Sequence, residues 1–166
     1  ALVYALMFLL GLWGCLAVYN ATAYSNLPFN FAARQFLWLL VSMACLYGAS
    51  RVPFNAFFDH ALIWAVPAYL LLLAVLVFGT SVNGMRGWFS WGDFFLQPSE
   101  IAKPFFILLL CRIASRGDGG LRHFLKLFFV TCLWTGPITL QPDWGTSLIY
   151  LGAFILVYFS SGGSVL

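Results

Sequence analysis

The chain has 166 residues, 63% of them hydrophobic and 8% charged. Soluble globular domains carry about 45–50% apolar and about 25% charged residues, so this composition excludes an ordinary soluble domain. With 8 Lys/Arg against 5 Asp/Glu, it also excludes a disordered chain, a collagen and a nucleic-acid binder of the basic type.

A membrane-spanning helix needs about 20 apolar residues; six would use about 120 and leave about 46 for five short connections. In chain order, apolar runs occupy Ala1–Val18, Phe36–Gly48, Ala61–Phe78, Ile101–Cys111, Phe124–Leu140 and Ser147–Phe159. The second and fourth reach membrane length only by drawing in Arg34–Gln35 and Pro98–Lys103. The fold class read from this pattern is all-α: a polytopic integral membrane protein of about six transmembrane helices. Residues 1–166 are expected to form a single transmembrane domain. Ala1 already lies inside an apolar run and Leu166 follows no polar tail, so that domain is expected to be incomplete at both ends. Cys15, Cys45, Cys111 and Cys132 are far apart within apolar runs and read as small hydrophobes rather than a disulfide or zinc framework.

Charge sets the orientation. Arg112, Arg116, Arg122 and Lys126 cluster around the fourth connection, which the positive-inside rule places in the cytoplasm. Alternation puts Arg51–His60 there too, and Tyr19–Ala33, Gly79–Gln97 and Gln141–Asp143 outside. Trp88, Phe89, Trp91, Phe94 and Phe95 crowd the Gly79–Gln97 connection, which is expected to lie along the outer interface. His60 and His123 have no second ligand at metal spacing and take no catalytic role; His123 falls on the basic inner rim.

Two tripeptides resemble each other: Gln97-Pro98-Ser99 and Gln141-Pro142-Asp143. Each opens an apolar run on the predicted outer side. Proline suits the first helical turn, and an acid there (Glu100, Asp143) meets the positive end of the helix dipole. Both read simply as capped helix starts. Two helix N-termini on one face also make an anion site, provided a divalent cation (Mg or Mn) or a basic residue offsets the acids. Glu100 and Lys103 are three apart and share a helix face, where they can pair. Pro104 cannot donate to the Glu100 carbonyl and is expected to kink the helix. Arg86 and Trp88 are further candidates in the outer connection, arginine because its planar fork fits phosphate.

Three motifs, Val82-Asn83-Gly84-Met85-Arg86-Gly87-Trp88, Phe95-Leu96-Gln97-Pro98-Ser99-Glu100-Ile101-Ala102-Lys103 and Leu140-Gln141-Pro142-Asp143-Trp144-Gly145-Thr146-Ser147, resemble in order and placement those of the FtsW/RodA/SpoVE (SEDS) family. The resemblance implies a ten-helix bundle of which this chain corresponds to the N-terminal six. It implies peptidoglycan glycosyltransfer, the polymerisation of lipid II at the outer face of the bacterial cytoplasmic membrane for division or elongation. It implies a class B penicillin-binding transpeptidase and other divisome or elongasome membrane proteins as partners, and no nucleic acid. The family's catalytic aspartate belongs to an outer loop after the seventh helix, so no catalytic residue is expected in this chain. Arg86, Trp88, Gln97, Ser99, Glu100, Lys103, Gln141, Asp143 and Thr146 are carried over as substrate-binding or cavity residues. Gly87 stands where the family usually has Arg or another polar residue. A lipid II flippase or transporter, and a membrane scaffold for the transpeptidase, are the other classes this sequence admits.

Overall fold

The computed structural model describes residues 2–24, 28–82, 84–92, 94–117 and 119–163. Six long helices stand where the six apolar runs predict them: α1 (Leu2–Ala21), α2 (Pro28–Arg51), α4 (Ala61–Phe78), α5 (Pro98–Ala114), α6 (Leu121–Leu140) and α7 (Trp144–Ser160). Of these, α1, α2, α4 and α6 are long and apolar enough to cross a membrane, and α7 is an apolar helix of 17 residues. The chain is a multi-pass membrane protein.

Two departures lie between the helices. A six-residue helix, α3 (Phe54–Asp59), occupies the connection read as a plain loop. The Gly79–Gln97 connection, expected as an interfacial loop, folds instead into a three-stranded antiparallel sheet of β1 (Thr80–Val82), β2 (Met85–Trp91) and β3 (Phe94–Leu96). Gly84 and Gly92, with φ of +83° and +59°, sit at the two reversals, where a side chain would be strained. Phe89 pairs with Leu96 and Trp91 with Phe94 across β2 and β3, so the aromatics serve as cross-strand partners. Asn83, part of the first motif, lies outside the described residues.

The chain divides into two units, 1–53 and 54–166. In the first, α1 and α2 form a helical hairpin, with Leu39 packed where a Cβ on Gly11 would have to stand. In the second, α5 touches α4, α6 and α7. Ala61, Ala65, Ala68, Leu72 and Val75 line the buried stripe of α4. Their alternating four- and three-residue spacing is the helical period, and the alanines admit close approach, which matters where lipid offers no hydrophobic drive between helices. Phe106 of α5 fills the centre, its ring 4.7 Å from that of Tyr150 on α7 and 5.5 Å from that of Trp134 on α6. Thr131 and Thr135 are buried on α6 and return their hydroxyls to carbonyls one turn back, which satisfies them without a partner helix. Pro104 lies within α5, which continues through it, and Pro67 and Pro137 do the same in α4 and α6.

The helices of the second unit run antiparallel in sequence, so their junctions gather at two ends. One, the glutamine end, holds the sheet, the starts of α5 and α7, and the end of α6. The other, the basic end, holds α3, the starts of α4 and α6, and the ends of α5 and α7. All four cysteines are free, as their spacing predicts.

Candidate functional site

The glutamine end brings the two similar tripeptides together. Gln97, the N-cap residue of α5, donates from Nε2 to Asp143 Oδ2 at 2.8 Å, across 46 residues of sequence. Asp143 caps α7: its Oδ1 accepts from the Thr146 backbone N–H at 3.0 Å. The carboxylate therefore does two jobs, satisfying a first-turn amide and tying α7 to the start of α5. Ser147 donates its hydroxyl to the Asp143 carbonyl at 2.9 Å. One turn further, the buried Tyr150 hydroxyl donates to the Ser99 carbonyl at 2.9 Å. Tyr150 and Ser147 were not singled out in the sequence; their positions seven and four residues after Asp143, on its face of the helix, are the signal that carries them.

Several polar atoms here are buried without a hydrogen-bond partner among the described residues: the Trp88 indole nitrogen, the Ser99 hydroxyl and both amide atoms of Gln141. Gln141 is fully buried. Its Oε1 lies against β2, 2.8 Å from where a Cβ on Gly87 would be. Glycine at 87 thus makes room for the glutamine, a physical reason for Gly87 where the family usually has a larger polar residue. A buried amide with no protein partner at either end carries two donors and an acceptor.

Glu100 and Lys103 form the expected ion pair one turn into α5, Nζ to Oε1 at 2.6 Å, with the lysine one-fifth and the glutamate about half exposed. The pair lowers the cost of holding charge near membrane depth. Arg86 is placed differently from a phosphate-facing residue. Its Nε donates to the Gly79 carbonyl at 3.0 Å and its Nη2 to the Val77 carbonyl at 3.1 Å. It fastens β2 to the C-terminal carbonyls of α4, where a cation also favours the dipole. Trp88 lies on β2 with its ring edge-on to Phe95 at 6.5 Å. Thr146 is buried beside Asp143.

Among the described residues no three His, Cys, Asp or Glu side chains gather to hold an ion. Asp143 is engaged by Gln97 and Thr146, and Glu100 by Lys103. The cations at this end among the described residues are Lys103 and Arg86, beside the two helix N-termini.

The whole chain, residues 1–166, matches the family model described as cell cycle protein, FTSW_RODA_SPOVE. Over 139 residues it is 31% identical to the probable peptidoglycan glycosyltransferase FtsW of Idiomarina loihiensis, covering 81% of this chain and 34% of that protein. Over 131 residues it is 31% identical to the peptidoglycan glycosyltransferase RodA of Treponema pallidum, covering 78% of this chain and 30% of that one. A chain of a solved peptidoglycan synthase complex, described for its coordination of polymerization and crosslinking, superposes with a TM-score of 0.76 at 26% identity, covering 92% of this chain and 46% of that one. The chain spans about a third of the length of these curated relatives. With its three motifs joined at one end of the helical unit and its full length matched, the chain belongs to the FtsW/RodA/SpoVE family.

Proposed function

We propose that this chain contributes a lipid II-binding portion of a peptidoglycan glycosyltransferase acting at the outer face of the bacterial cytoplasmic membrane. The observation that carries the reading is the hydrogen bond from Gln97 to Asp143, which locks two helix N-termini side by side next to Lys103 and the unanswered amide of Gln141. Its relatives' names support the same reaction class.

Glycosyl transfer from a lipid pyrophosphate makes two demands. The acceptor hydroxyl must lose its proton to a base, and the pyrophosphate leaving group must be stabilised as its negative charge develops. The groups described here serve the second. Lys103 is a cation with one-fifth of its side chain exposed, and Glu100 holds it at the mouth of α5. The α5 and α7 N-termini add oriented amide dipoles. Asp143 has both oxygens committed, so it positions Gln97 and α7 rather than accepting the proton. By family resemblance the base belongs to a later outer loop. A class B penicillin-binding transpeptidase is the partner that fits this reading, since the similar solved chain belongs to a synthase complex.

The test is lipid II polymerisation by the full-length gene product with its transpeptidase, moenomycin being added to silence other polymerases. Glycan strands are expected, and Lys103→Ala is expected to cut their rate by about 10²-fold, the scale for removing one charge-stabilising group. Strands formed at an unchanged rate by that variant would remove Lys103 from the site. No strands, but lipid II crossing proteoliposome membranes, would replace the polymerase with a flippase.

A further inference from the structure

The basic end contains a cavity of about 670 Å³ between α4, α5 and α6, lined by Arg112, Arg116, Arg122, His123 and Lys126 with Leu62 and Ile113 among its apolar walls. No Asp or Glu among the described residues lines it. Arg112 spends Nη1 on the Phe58 carbonyl at 2.9 Å, which holds its guanidinium in the wall. The side chains of Arg116, Arg122 and Lys126 have no hydrogen bond or ion pair among the described residues. All three side chains are exposed, at the mouth of the cavity. Here a buried polar group joins them. His123 is 4% exposed, and its Nε2 has no hydrogen-bond partner among the described residues. The ring is held in place by Tyr158, stacked at 6.5 Å, and by Gly117, where a Cβ would collide with Nδ1.

Beside this cavity α6 presents an exposed apolar face of Leu121, Leu125 and Phe129, which shares Arg122 and Lys126 with the cavity. A cationic chamber that passes through two shared basic residues onto an exposed apolar helix face matches a molecule with a phosphate head and a hydrocarbon tail. A free phosphate would use the chamber and leave the apolar face unused.

We propose that the basic end binds an anionic phospholipid, its phosphate in the chamber among Arg116, Arg122, Lys126 and His123, and an acyl chain along Leu121, Leu125 and Phe129 of α6. Basic pockets between transmembrane helices recognise anionic headgroups by this chemistry. The site lies at the opposite end of the helical unit from the tripeptides and does not depend on the glycosyltransferase reading.

The experiment is native mass spectrometry of the full-length protein released from nanodiscs of equal phosphatidylglycerol and phosphatidylcholine. The protein is expected to retain phosphatidylglycerol selectively. Arg122→Ala with Lys126→Ala is expected to lower that selectivity by about tenfold or more, from two lost headgroup contacts. His123→Phe, which keeps the ring and removes the nitrogen, is expected to lower it less. Arg51→Ala, a cation in the last turn of α2, is expected to leave it unchanged. Equal loss from Arg51→Ala would mean a diffuse charge effect and overturn the proposal. So would equal retention of the two lipids, or displacement of the bound lipid by millimolar inorganic phosphate with no preference for an acyl chain.

Discussion

At the glutamine end Asp143 takes hydrogen bonds from Gln97 and Thr146, and Glu100 closes on Lys103. At the basic end Arg116, Arg122 and Lys126 line a cavity that no described carboxylate faces. Both ends belong to the same four helices, and both place charge near a membrane boundary. Charge answered from within the fold contributes to holding the helices together. Charge left exposed at a cavity mouth is free to meet something that arrives from outside. The neutral groups left over differ as well. Gln141 presents donors and an acceptor beside a paired network, whereas His123 presents one nitrogen among cations. The first combination suits a sugar and its pyrophosphate, the second the phosphate head of an anionic lipid.

That contrast can be broken by substitution, most severely at Asp143. Asp143→Ala removes a helix cap and the acceptor for Gln97, and is expected to destabilise the protein by about 2–3 kcal/mol in denaturant titrations in detergent. Asp143→Asn, which still caps, should recover about half of that loss. Gly87→Ala pushes a Cβ to 2.8 Å from Gln141 Oε1 and is expected to cost about 1–2 kcal/mol. In the double variant with Gln141→Ala that cost should largely disappear, a coupling read directly from a double-mutant cycle. Arg86→Ala releases the Gly79 and Val77 carbonyls and should cost about 1 kcal/mol, with lipid II polymerisation lowered less than by Lys103→Ala. An Arg86→Ala loss of activity equal to that of Lys103→Ala would return Arg86 to the substrate site. The smallest effect sharpens the contrast by its sign. Arg122 and Lys126 are like charges four apart on α6, so Arg122→Ala in neutral lipid is expected to stabilise the protein by about 0.3 kcal/mol. A destabilisation there would mean that the basic end is answered internally after all.

Much of the glutamine end was legible in the sequence because its signals are local. Proline after glutamine, an acid in the first turn and Glu100 three residues before Lys103 each specify a short stretch of backbone or one helix face. Arg86 was legible as a cation but not as a clasp, because its acceptors are carbonyls freed only where α4 stops. The sheet was missed for a different reason. Its crowded aromatics fit an interfacial loop equally well, although Asn83-Gly84 and a second glycine at 92 between alternating residues also mark hairpin turns. His123 read as one more member of a charged rim, since nothing in a single sequence tells which face of α6 turns inward at its first turn.

Composition and hydropathy by themselves determined that this chain crosses a membrane several times as helices, because burying backbone in lipid leaves few other solutions. Local chemistry determined where α5 and α7 begin and which residues could cap them. Only the tertiary structure decided that those two beginnings meet. Gln97 reaches Asp143 because α5 packs beside α7 on the ring of Phe106, and Gln141 is buried because β2 closes over it with a glycine. Periodicity fixes a helix's inward face to within a turn, but a hydrogen bond spanning 46 residues forms only when packed helices bring its partners within about 3 Å.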